Sequence, residues 1–203
     1  APDVTVGSDG AATARPTVDS IKDAIAGADT SVVITVEQPE DKAEIKSTTV
    51  ELSTEIVKAV VDAELPLTVE APQGTVTLPT SAISAAIGEE KVESVEVVVA
   101  EANLNVENAP VSAVAVEVTV KVNGTEAELA DLDENITITL PYTGEETEVD
   151  VYFVNAENTL EKVASAVKVN KGTVTFEVDH LTVFAVTEAG ASEEPTPDDT
   201  ELT

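Results

Sequence analysis

Residues 67–87 read LTVEAPQGTVTLPTSAISAAI, from Leu67 to Ile87, and hold both periodicities of the chain. Leu67–Ala71 and Gly74–Leu78 are rich in β-branched residues and flank Ala71-Pro72-Gln73-Gly74, so they are expected to form a hairpin with that quartet as its turn. At Pro79 and Thr80 the period changes. Ile83 and Ile87 fall on one helical face, and Gly88 closes the segment. Strand, turn, strand and short helix within so few residues point to an α+β fold, with helices lying on a sheet.

The same plan recurs upstream. Thr17 is a candidate N-cap for a helix carrying Val18, Ile21 and Ile25, with Gly27 as its stop. The strand SVVITVE follows. Ser53 caps a second helix with Ile56, Val57, Val60 and Val61 on its apolar face. STTVEL precedes that helix as a strand, and ESVEVVVA follows the third helix. The spacing of these units is irregular, which argues against a solenoid.

Beyond Asn103 the helical period disappears. AVAVEVTVKV, ITITLPY, EVDVYFVN, VASAVKV, GTVTFEVD and LTVFAVT alternate apolar and polar residues. Turn-like breaks separate them at Asn123-Gly124, Tyr142-Thr143-Gly144, Asn155–Asn158 and Asn170-Lys171-Gly172. Residues 1–102 are thus expected to form an α+β lobe of short helices on a β-sheet, and residues 103–190 a mostly antiparallel, β-sandwich-like lobe. Residues 191–203, ASEEPTPDDTELT, read as an acidic Pro/Thr linker or tail. No Pro/Ser-rich linker divides the lobes, and 103–110 is the one junction the composition offers.

Composition narrows the function. Of 203 residues, 42% are hydrophobic but only 2% aromatic, and there is no Cys, Met or Trp. Without Cys there are no disulfides, thiolate nucleophiles or thiolate metal sites. Forty acidic residues against ten basic ones give a net charge of -30, which opposes nucleic acid and anionic lipid. No apolar run is long enough to span a bilayer. The chain begins Ala1-Pro2-Asp3, as it would after removal of a signal peptide or with a start chosen by design. An ordinary acidic surface protein is the first reading and a halophilic one the second.

Three motifs bear on chemistry. Asp131, Asp133 and Asn135 give the opening of a calcium loop. Ile136 then stands where the loop needs glycine, and Tyr142 where it needs a bidentate Glu, so an acidic turn is expected. Paired carboxylates cannot be singled out among forty acids, and a sugar cleft would need aromatic platforms. Phe153, Phe176 and Phe184 read as core, leaving Tyr142 and Tyr152 as the aromatics open to exposure. The third motif is VDHLTVFAVTE, Val178 to Glu188, which holds the only histidine, His180. A hydroxyl at Thr182 stands one peptide bond from the Leu181 carbonyl, with His180 beside it as a base. That set supports an N-to-O acyl shift and cleavage between Leu181 and Thr182. Attack also needs a bent peptide and a donor for the oxyanion, and FEVD upstream offers neither. A structural histidine at a strand entrance is therefore expected.

The order LTVEAPQGTVTLPTSAISAAI, ITITLPYTGEETEVDVYFVN, GTVTFEVDHLTVFAVTE resembles a module of bacterial cell-surface proteins. That module is associated with surface-layer-homology, cell-wall and cellulosomal proteins. Residues 45–188 carry most of the resemblance, which implies extracellular or cell-surface display after signal-peptide removal and no known reaction. HLTVFAV also resembles the His-Leu-Ser/Thr self-cleavage site of adhesion-type receptors. There, paired cysteines and tryptophan stand upstream, and this chain has neither residue type. The expected function is a non-enzymatic structural or adhesive module (spacer, scaffold or stalk) without cofactors. Its partners would be other modules or other surface proteins, with self-association also open. The alternatives are a surface filament subunit assembling through strand edges and an autoproteolytic module cleaving at 181–182.

Overall fold

A computed structural model describes residues 2–40, 42–88, 92–104, 106, 114–129 and 132–189. Among the described residues the fold is mostly β, with three short helices and two open sheets facing each other in a sandwich-like α+β arrangement. The chain runs β1 (Asp3–Val6), β2 (Ala11–Arg15), α1 (Val18–Gly27), β3 (Val32–Thr35), β4 (Ser47–Ser53) and α2 (Thr54–Asp62). There follow β5 (Leu67–Ala71), β6 (Gly74–Leu78), α3 (Thr80–Ile87), β7 (Ser94–Glu101) and β8 (Val114–Val122). The last elements are β9 (Thr125–Glu126), β10 (Ile136–Pro141), β11 (Glu148–Val154), β12 (Leu160–Lys168), β13 (Thr173–Val178) and β14 (Val183–Glu188).

The larger sheet has the order β1-β2-β4-β7-β8-β14-β11-β12, with β9 pairing β8. The smaller sheet has the order β13-β10-β6-β5-β3. Both halves of the chain, before and after 103–110, contribute strands to both sheets. Pairing is antiparallel except for β2 with β4 and β3 with β5. The inward side chains of both sheets and the buried faces of the helices form one apolar cluster among the described residues. Period-two alternation builds it: Val95, Val97 and Val99 on β7 share that cluster with Ile136, Ile138 and Leu140 of the facing sheet's β10.

Each helix starts and stops where local chemistry allows. Thr17 Oγ1 accepts from the Ser20 amide, and Ser20 Oγ accepts from the Thr17 amide, a reciprocal cap with serine in place of the usual Glu or Gln. Gly27 ends α1 and Gly88 caps α3 at φ +52. Ser53 precedes α2 without a capping side-chain bond. The Thr54 hydroxyl instead donates to the carbonyls of Val92 and Glu93. Helices α2 and α3 bring Val57, Val60, Ala82 and Ile83 together with Leu52, Leu67 and Leu78 around a small apolar cavity.

The turn at Pro72-Gln73 is more than a connector. Gln73 is buried; its Nε2 donates to the Ile45 carbonyl at 2.5 Å, and its Oε1 accepts from Thr48 Oγ1 at 2.9 Å. A hairpin of the smaller sheet is thereby tied to β4 of the larger one. Gly74 is favoured because the neighbouring strand β10 lies close there: a Cβ would stand 2.8 Å from Leu140 Cδ2 and 3.0 Å from the Thr139 carbonyl oxygen. At Asn123-Gly124 both residues have positive φ, as a two-residue hairpin between right-twisted strands needs.

Candidate functional site

The chain crosses from one sheet to the other at Asp179–Thr182. Strand β13 lies at the edge of the smaller sheet, and β14 runs inside the larger sheet between β8 and β11. The crossing is pinned by backbone bonds. The Leu181 amide donates to the Leu129 carbonyl at 3.3 Å, and the Leu132 amide to the Asp179 carbonyl at 3.3 Å. The Val118 amide donates to the Thr182 carbonyl at 3.2 Å. Residues 129, 132, 118 and 179–182 thus meet in one corner.

His180 sits in this corner with its side chain 26% exposed. Its Nδ1 is 2.7 Å from Asp179 Oδ1. The ring meets Phe153 of β11 edge-on at 4.6 Å between centroids and lies 5.9 Å from Phe184 of β14. Phe184 in turn packs 5.7 Å from Phe176 of β13, so His180 joins an aromatic stack that bridges the two sheets. Its Nε2 is buried with no hydrogen-bond partner. The bond from His180 holds the Asp179 carboxyl below its ordinary range.

Thr182 is engaged elsewhere. Its hydroxyl donates to the Val154 carbonyl at 3.1 Å, at the end of β11. A hydroxyl whose proton is given to a carbonyl is not poised for deprotonation, since a carbonyl oxygen does not act as a base at neutral pH. None of residues 179–182 has a positive φ, so the left-handed form of backbone strain is absent at 181–182. The structure brings His180, Leu181 and Thr182 into one corner, but it directs the imidazole to Asp179 and the rings, and the hydroxyl to Val154.

The acidic turn before β10 is also occupied. Glu134 Oε2 accepts from Ser81 Oγ at 2.6 Å, and Asn135 Nδ2 donates to Glu177 Oε2 at 3.4 Å. Asp133 is exposed, and Asp131 lies outside the described residues. No cluster of three or more His, Cys, Asp or Glu residues fit to hold a metal occurs among the described residues. Tyr142 and Tyr152, read as open to exposure, are both buried, at 6% and 3%. Tyr142 covers Gly144, and Tyr152 lies beside an acid.

That acid, Asp150, is the polar group that sequence reasoning missed. It lies on the β11 face opposite the core residues Val149 and Val151, where alternation suggests exposure, yet it is 3% exposed. Its carboxylate accepts from Lys162 Nζ at 3.0 Å, from the Ala166 amide at 3.0 Å and from the Tyr152 hydroxyl at 3.5 Å. Lys162 Nζ also stands 5.4 Å above the Tyr152 ring. The register between β11 and β12 shifts here, and Ala166 has φ +50. Asp150 therefore holds a bulge in the outermost strand. The Asp150 carboxylate, and after it the Tyr152 hydroxyl, keep the Lys162 ammonium above its usual range. A protonated amine is a partner for the carboxylate and no nucleophile. The only local sign in the sequence was an acid between valines in VDVYF.

No protein-family model matches this chain, and no curated protein matches it. Among the described residues no helix is long and apolar enough to cross a membrane.

Proposed function

We propose that the protein is a non-enzymatic structural or adhesive module of a bacterial cell-surface or secreted protein. The observation that carries this reading is the bond from the Thr182 hydroxyl to the Val154 carbonyl, with His180 turned to Asp179 and the phenylalanine rings. The hydroxyl and the imidazole that the sequence pairs as nucleophile and base are both spent on packing: the hydroxyl ties the entrance of β14 to the end of β11, and the ring joins the aromatic stack that reaches the smaller sheet. The strand order adds support, because both halves of the chain share both sheets and a pull on either half is borne by long runs of backbone bonds. The acidic surface suits a module that stays soluble and apart from nucleic acid.

The test is location. In a bacterium that makes the protein, brief protease treatment of intact cells should remove the antigen, or the antigen should be in the medium. An antigen confined to the cytosol and resistant until lysis would overturn the reading. A glycan and peptide array then separates adhesive module from passive spacer.

A further inference from the structure

Among the described residues, the strands that end the two strand orders are β1, β12, β3 and β13, and the two-residue β9 pairs only β8. Exposed strand edges invite pairing with other chains, so proteins blunt them with charge, proline or bulges. Strand β12 carries Lys162, Lys168 and a register shift. Strand β1 begins beside Pro2 and holds Asp3. Strand β13 lies against β12. Strand β3, with the sequence VVIT, carries no charge, proline or register shift; it contacts α1 as well as β5, and it presents Val33, the one large hydrophobic residue exposed among the described residues, at 45%.

The backbone of β3 is half used. The Val32 amide donates to the Pro66 carbonyl and the Val36 amide to the Glu70 carbonyl, each at 2.8 Å, along the parallel pairing with β5. Backbone groups alternate between the two edges of a strand, so the amides and carbonyls of Val33 and Thr35 point to the open edge. That edge borders an open trough, whose lining includes Val4, Ala24, Ile34 and Val36. Glu37, Glu40 and Glu70 also line it, and no Lys or Arg does among the described residues.

We propose that the β3 edge is a docking site for an extended peptide segment of another protein, one that alternates apolar and basic side chains. Such a segment would add a strand to the smaller sheet beside β3. Its backbone would pair with Val33 and Thr35, its apolar side chains would enter the trough, and its basic ones would lie over Glu37 and Glu70. Charge decides the occupant. A second copy would bring another net charge of -30 to an acidic trough, whereas a cationic strand is drawn to it. The proposal deepens the adhesive side of the reading above, and its test uses purified protein, so it fails or stands independently of where the protein resides.

Fluorescence anisotropy of a short labelled peptide alternating Val and Lys, titrated with the full chain, tests it. Saturable binding is expected, with affinity at least about tenfold weaker for the Val/Glu counterpart and for the same peptide N-methylated at alternate amides. Val33→Pro removes an outward amide that β5 does not use, so the fold should persist while affinity drops about tenfold or more. If that variant does not fold, Val33→Lys places a repelling charge on the same edge, and the N-methylated peptide probes the backbone bonds without any mutation. Equal binding to a folded Val33→Pro chain, equal binding of the Val/Glu or N-methylated peptide, or no saturation at all would overturn the proposal. So would a peptide-free dimer that Val33→Pro abolishes, which would make a second copy the occupant.

Discussion

Replacing Asp150 by alanine is expected to destabilise the protein by about 2–3 kcal/mol. The bond from the Ala166 amide is made to a charged acceptor in a 3% exposed position, and such bonds contribute about 1.5–3 kcal/mol. The bond from Lys162 adds less, because the lysine side chain is 42% exposed and water screens it; about 0–1 kcal/mol is appropriate. Removing a buried charge returns part of that sum through lost desolvation cost. Ala166 holds φ +50, a conformation that costs an L-residue about 1–2 kcal/mol; without the Asp150 carboxylate its amide either keeps that strain with no acceptor or relaxes at the expense of the bulge. At about 2–4 °C per kcal/mol for a chain of this size, the midpoint should fall by about 5–10 °C. Urea titration followed by far-UV circular dichroism reads the free energy. Ala166→Gly should stabilise the wild type by about 1 kcal/mol, because glycine adopts this φ freely, and should recover part of the loss in Asp150→Ala. A loss below about 0.5 kcal/mol in Asp150→Ala, the range of ordinary surface substitutions, would refute the claim that this acid holds the bulge.

Gln73→Ala should cost about 2–3 kcal/mol in the same urea assay, because it leaves the Ile45 carbonyl and the Thr48 hydroxyl without their buried partner; a change within about 0.5 kcal/mol would show that the tie between sheets is not needed. Burial, and then the Glu188 and Glu146 charges, raise the Tyr142 phenol above its ordinary value. A raised folded-state value favours the neutral phenol, so its contribution is full below the unfolded value of about 10 and is lost as pH rises through the folded value. Urea midpoints should therefore fall across the alkaline range, and Tyr142→Phe should flatten that fall; an unchanged slope in the variant would count against it.

The alternating runs of the chain carried most of the fold. Val95, Val97 and Val99 announce their buried face by period alone, and Thr17, Gly27 and Gly88 mark helix ends through local chemistry. The hairpin at Pro72-Gln73 was equally legible. Strands β1 and β2 were not, because DVTV and AATAR are short and largely small or polar, and they become strands by pairing with each other and with β4. Alternation tells which face a residue takes but not which strand lies beside it. The interleaving of the two halves across both sheets, set by non-local pairing, was therefore invisible. The same holds for the corner at 179–182: the sequence supplies His180, Leu181 and Thr182, but Phe153, Val154 and Leu129 arrive from distant positions. Asp150 was hidden because its cover comes from Tyr152 and from Lys162 across a neighbouring strand.

The intact mass of the purified chain under denaturing conditions tests most directly whether the corner at 179–182 is a brace and not a cleavage site. With the Thr182 hydroxyl given to Val154 and His180 given to Asp179, a single species with the mass of the full 203 residues is expected, unchanged after long incubation. Thr182→Ala should then differ only by its substituted side chain and a loss of about 1 kcal/mol of stability. A fragment beginning at Thr182, present in the wild type and absent in Thr182→Ala, would contradict the account and make His180 and Thr182 the working residues of a self-cleaving module.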